Sequence, residues 1–140
     1  MFFIPINYLA VLVCAVVQMA IGAAWYSPAL FGSAWMRLSG MTPDKIAAAK
    51  QKGMGMIYGM QAVLALLEVW ILAHFIFLAD AHSIATGATI GFLAWLGFVA
   101  TVSAGAILFE KKSIKLFLLQ SGYQLICLVI TGAILAVWRA

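Results

Sequence analysis

Apolar residues run almost unbroken through four stretches, 5–26, 54–79, 84–109 and 116–138, and polar residues collect between them. A helix rises about 1.5 Å per residue and the hydrocarbon layer is about 30 Å thick, so about 20 apolar residues cross it. Each stretch therefore predicts one membrane-spanning helix. Backbone groups in lipid need partners within their own segment, which forces helices. A closed barrel would need many strands of alternating polarity, and the pattern lacks them. The turn Asp80–Ser83 makes spans two and three an antiparallel hairpin, and the segment after Phe109 does the same for spans three and four. The expected fold is all-α: one membrane domain over 1–140, an up-down bundle of four transmembrane helices. Residues 1–7 carry no basic cluster and the first apolar run is longer than a signal h-region. It reads as a membrane anchor that is kept.

The loop 27–53 is the long one. Its first part, through Arg37, mixes aromatic and small residues. It is expected at the headgroup level, with Trp25, Tyr26, Phe31 and Trp35 as an aromatic belt. Ser27-Pro28 should end or kink span one, because proline disfavours helix in the residue before it. Thr42-Pro43-Asp44 then predicts a helix start: a threonine cap, proline at the first position, an acid in the first turn. That helix, Pro43–Lys52, either runs straight into span two or breaks at Gly53 or Gly55.

Charge sets an orientation. Arg37, Lys45, Lys50, Lys52, Lys111, Lys112 and Lys115 fall on one side of the four spans, and Arg139 alone on the other. Basic loops stay cytoplasmic, so both termini are expected on the non-cytoplasmic side of the cell's inner (cytoplasmic) membrane. Composition agrees with lipid as the solvent. The chain is 66% hydrophobic and 9% charged, against about 25% charged for a soluble domain. In a soluble protein a pI near 9.3 would suggest nucleic acid. Here the cations flank apolar spans, so anionic headgroups are the expected partner and nucleic acid is not.

Glu68, in Leu66-Leu67-Glu68-Val69-Trp70 near the middle of span two, is the residue to explain. A charge at mid-bilayer costs about 3 kcal/mol on the insertion scale. An intramembrane carboxylate is by default a candidate proton or cation site. The bland reading is a protonated acid hydrogen-bonded to a neighbouring helix. Residues seven apart share a helix face. Gln61 thus lies beneath Glu68. Asn7, Cys14, Gln18 and Gly22 form a stripe on span one, and Gln120, Gln124, Cys127 and Thr131 one on span four. Counted from the basic side, Gln18, Gln61, Thr101 and Gln124 each lie roughly 10–13 Å deep. One polar layer from all four helices is expected. It would act either as interhelical glue of about 0.6 kcal/mol per hydrogen bond, or as a cavity with Glu68 at its floor.

Gly55-xxx-Gly59 and Gly87-xxx-Gly91 let helices approach closely, within the bundle or between protomers. His74 is expected to bond Thr86, Thr89 or interfacial water. Only one histidine lies in a span, Cys14 and Cys127 have no metal-ligand spacing, and no set of residues suits catalysis. No cofactor and no metal are expected.

The run Gly22-Ala-Ala-Trp25-Tyr26-Ser27-Pro28-Ala-Leu-Phe31-Gly32-Ser-Ala-Trp35-Met36 resembles the signature of an uncharacterised bacterial and archaeal membrane family, catalogued as domain of unknown function 1761. Trp95-Leu96-Gly97-Phe98-Val99 resembles its second motif. Leu108-Phe109-Glu110, Phe117 and Gly122-Tyr123 resemble the third. The resemblance implies a four-helix integral membrane protein and no activity. Two roles follow from all these features. The first is a non-catalytic membrane component, a homo-oligomer or a subunit of another membrane protein. The alternative is a small proton-coupled solute or ion transporter using Glu68.

Overall fold

The computed structural model describes residues 4–110 and 113–139. Helix α1 spans Tyr8–Trp25, α2 Gly32–Ser39, α3 Pro43–Lys52, α4 Gly55–Leu78, α5 Ile84–Ala94, α6 Thr101–Glu110 and α7 Ile114–Val137. A π-helical segment, Trp95–Ala100, joins α5 to α6. Together they make one continuous span, Ile84–Glu110. The fold is that of a multi-pass membrane protein: α1, α4, that span and α7 are each long and apolar enough to cross a bilayer. No strand occurs among the described residues.

Local chemistry explains the boundaries. Asn7 caps α1, its side chain accepting from the Ala10 N–H, so the helix starts at Tyr8 rather than at Pro5. The Thr42 hydroxyl accepts from the Lys45 N–H and starts α3. Gly53, at φ 94°, breaks the chain between α3 and α4, because that backbone region suits glycine. The short helix α2 lies in the first part of the loop 27–53. It starts at Gly32, where a Cβ would collide with the Tyr26 and Ser27 carbonyl oxygens.

Helix α7 is the hub and packs against α1, α4, α5 and α6. Its tightest seam is with α5. A Cβ at Gly87 would overlap the Gly132 carbonyl, and one at Gly91 the Leu128 carbonyl. The glycine pair of span three therefore serves contact inside the chain. By contrast, a Cβ at Gly55, Gly59, Gly97 or Gly105 would meet open space.

Burial is lopsided along the bundle axis. Ala10, Val11, Cys14, Val69, Leu72, Ile76, Leu128 and Leu135 belong to one core cluster in the half remote from the α2–α3 loop. That far end is tied together. The Asn7 amide donates to the Trp138 carbonyl at 3.3 Å. The Arg139 guanidinium donates to the Ala81 carbonyl at 3.0 Å, reaches Asp80 at 3.5 Å and lies over the Phe77 ring at 5.2 Å. Asp80 takes a left-handed conformation, φ 53°, which closes the α4–α5 turn. At the other, basic end α3 and the first turns of α4 part from the bundle. From Pro43 to Leu64 no residue is buried; the first buried residue of α4 is Ala65. Lys111 and Lys112 lie outside the described residues.

Candidate functional site

Three aromatic side chains lock span one and span three onto the basic half of α7. The Trp25 indole N–H donates to the Leu119 carbonyl at 3.1 Å. The Trp95 indole N–H, at the start of the π-helical segment, donates to the Ser121 carbonyl at 2.7 Å. A carbonyl oxygen has two lone pairs, so each can take an indole as well as its own helical partner. The Tyr123 hydroxyl returns the connection, donating to the Gln18 carbonyl at 3.0 Å. Gly22 makes room for that hydroxyl, and Gly122 faces the Trp25 ring. Trp25 stacks on Phe31 with centroids 4.5 Å apart, and Tyr26 meets Tyr123 at 5.6 Å and Trp35 at 6.0 Å. Trp25 and Tyr26 thus turn onto α7 and remain half-buried. Ser27 ends α1 as proline at the next position requires, its hydroxyl donating to the Ala24 carbonyl at 2.7 Å.

Glu68 sits one turn from this junction, where the packed and parted halves meet. Its Oε1 accepts from the Gln18 side-chain amide at 3.2 Å. Gln18 is buried and Glu68 half-buried. The Tyr123 hydroxyl of α7 meets the same Gln18 at its backbone carbonyl. Three helices therefore contribute to one polar cluster.

The layer from all four helices does not assemble around it. Gln61 is exposed, because α4 has left its neighbours at that level. Thr101 is exposed and donates to the Gly97 carbonyl of its own helix at 2.7 Å. Gln124 is half-buried. Other hydroxyls expected between helices are likewise satisfied locally: Thr131 donates to the Cys127 carbonyl and Ser121 to the Phe117 carbonyl. Back-bonding to residue i−4 is the usual alternative for Ser and Thr inside helices. His74 behaves the same way. Its Nδ1 meets the Trp70 carbonyl at 2.8 Å and its ring stands edge-on to Trp70 at 4.7 Å. Thr86 is engaged in the Ser83 capping box and Thr89 with the Ala85 carbonyl.

Apart from the Gln18–Glu68 bond, the polar contacts that join helices at this level come from residues that the sequence singles out for other reasons. Trp25 looked like a headgroup anchor, and Trp95 entered only through a motif. The available signal was that Trp25, Trp95 and Tyr123 each belong to one of the three motifs, which the fold brings onto one helix. Among the described residues no three His, Cys, Asp or Glu side chains group to hold a metal. The chemistry available at Glu68 is that of a carboxyl group beside an amide: it can hold or release a proton.

A family model described as "Protein of unknown function (DUF1761)" matches residues 9–136. All three motifs fall inside the match. No curated protein and no solved structure matches the chain.

Proposed function

We propose a role for this chain, which belongs to the DUF1761 family of proteins of unknown function: it is a non-catalytic membrane component that works as a homo-oligomer. One observation carries the reading. The segment from Pro43 to Leu64, comprising α3 and the first turns of α4, has no buried residue within its own chain. Met56, Ile57, Tyr58, Met60, Val63 and Leu64 are all exposed there, Met56 by 78%. Lipid alone can cover apolar side chains. Yet the same stretch carries Gly55 and Gly59 with open space above them, the feature that lets membrane helices approach. A second copy packing along this edge of α4 would use them.

The basic end faces the cytoplasm in this reading, in the inner membrane, with both termini on the far side. Arg37, Lys45, Lys50 and Lys52 then lie against the cytoplasmic leaflet. There each cation near an anionic surface contributes about 1 kcal/mol.

Cysteine cross-linking tests the assembly. Gly59→Cys should give a disulfide-linked dimer under mild oxidation in native membranes. The matched variant Ala15→Cys, at a buried position of α1, should not. No dimer at Gly59→Cys, or equal dimer from both, contradicts the reading.

A further inference from the structure

We infer that Glu68 is a proton-binding site that exchanges with one side of the membrane only, the side carrying the α2–α3 loop. The inference concerns groups inside one chain, and of these Gln61 alone lies on the stretch of α4 that the assembly reading covers.

The argument is an asymmetry along two helix faces. On α4, going from Glu68 away from the basic end, one face continues through Leu72 and Ile76, each 2% exposed, with Val69 fully buried beside them. On α7 the matching direction holds Thr131, fully buried and bonded to its own helix, and Leu135, 4% exposed. Among the described residues that path offers only the Thr131 hydroxyl, committed to its own helix, and a small cleft lined by Asn7, Ile76, Leu135 and Arg139 lies at its far end. Beyond it the Arg139, Asp80 and Ala81 contacts tie the end together.

In the opposite direction polar residues recur on both helices and are progressively uncovered, although Leu64 and buried Ala65 lie between Glu68 and Gln61 on α4. Gln61 lies seven residues before Glu68 on α4 and is exposed. On α7, Cys127 is buried, Gln124 half-buried and Gln120 exposed. Gln120 also lines a cleft between α6 and α7 with Ser103, Ala106 and Phe117. Amide side chains of this kind hold water, and water carries protons to a carboxyl group.

The groups facing Glu68 suit a proton better than a metal cation. From α1 comes the Gln18 amide, with the Cys14 thiol one turn beyond it. From α7 the Tyr123 phenol meets the Gln18 carbonyl, with the Cys127 thiol one turn beyond it on the same helix. No second carboxylate and no fixed cation of the described residues is among them. The Gln18 amide can donate to the carboxylate and, rotated about its last bond, accept from the acid. The site can therefore be satisfied in both protonation states, unlike a carboxyl group paired with a permanent charge.

The test uses the full chain in vesicles of phosphatidylcholine and phosphatidylglycerol, with orientation established by labelling Lys45. Dicyclohexylcarbodiimide, which adds to protonated carboxyl groups in apolar surroundings, is the probe, and adducts are located by peptide mass. Glu68 should be labelled. Its rate should fall roughly tenfold per pH unit once past the midpoint, as a single titration requires. It should follow the pH on the Lys45 side and ignore the pH opposite. Glu68→Gln, which keeps an acceptor for Gln18, should remove the adduct and leave other carboxyl groups as they were. No adduct at Glu68, a rate independent of pH, or a rate that follows the far side overturns the inference.

Discussion

Gly91 of α5 lies so close to Leu128 of α7 that a Cβ on the glycine would fall on the Leu128 carbonyl. The obstacle is backbone, which cannot swing aside as a side chain can. Gly91→Ala should therefore force the two helices apart and destabilise the bundle by about 1–3 kcal/mol, more for Gly91→Leu. Gly105→Ala meets nothing within 4 Å and should be neutral. Thermal unfolding in detergent compares the two. Equal effects would mean that the α5–α7 seam is not where the chain is pinned.

The two indoles act on carbonyls two residues apart on one helix. Trp25→Phe and Trp95→Phe each keep an aromatic ring and remove a donor. Each should lose about 0.6–1 kcal/mol. Trp95→Phe has a second consequence, because Trp95 opens the π-helical segment. Loss of its anchor on Ser121 should loosen that segment. Amide exchange by NMR in micelles should rise at Trp95–Ala100 and stay unchanged in α1.

Gln18 and Glu68 should be coupled. Gln18→Leu leaves a half-buried carboxyl group without its partner, while Gln18→Leu with Glu68→Leu removes both ends together. The double variant should be more stable than Gln18→Leu alone by about 1–3 kcal/mol, the penalty for an unsatisfied buried polar group. Additive effects in a double-mutant cycle would show that the 3.2 Å contact contributes nothing.

At the far end, Asp80 accepts a hydrogen bond from His82 at 2.7 Å. That bond, then the charge of His82, then Arg139 hold the Asp80 carboxyl below its usual range. A depressed carboxyl group stabilises the fold above its unfolded value, about pH 3.9, and the contribution disappears as pH falls through the lower folded value. Asp80 is fully exposed, so the effect is small. Melting curves should show a drop below about pH 4 that is weaker in Asp80→Asn. A drop of the same size in both would assign the acid sensitivity elsewhere.

The four spans were legible because about twenty apolar residues in a row have one physical solution. The α3 start at Thr42-Pro43 was equally legible, since capping is local chemistry. Glu68 stood out because a carboxyl group among leucines is costly wherever its helix packs. What faces it was less accessible. Helix spacing correctly puts Gln61 under Glu68, but spacing cannot say that α4 has no neighbour at Gln61. That depends on how α4 crosses α1 and α7. Thr101 illustrates the same limit: its depth was countable, but its choice of the Gly97 carbonyl over another helix was not. Trp25 and Trp95 meet α7 across long stretches of chain, almost a hundred residues for Trp25. Aromatic residues at a span end read as headgroup anchors until that partner is known.

The mass of the intact particle released directly from lipid tests the assembly most plainly. The chain weighs 15.1 kDa. A homo-oligomer requires twice that mass or a higher multiple for the natural chain, and a shift toward the single-chain mass for Gly59→Leu. A particle of one chain in lipid, unchanged by Gly59→Leu, would contradict it.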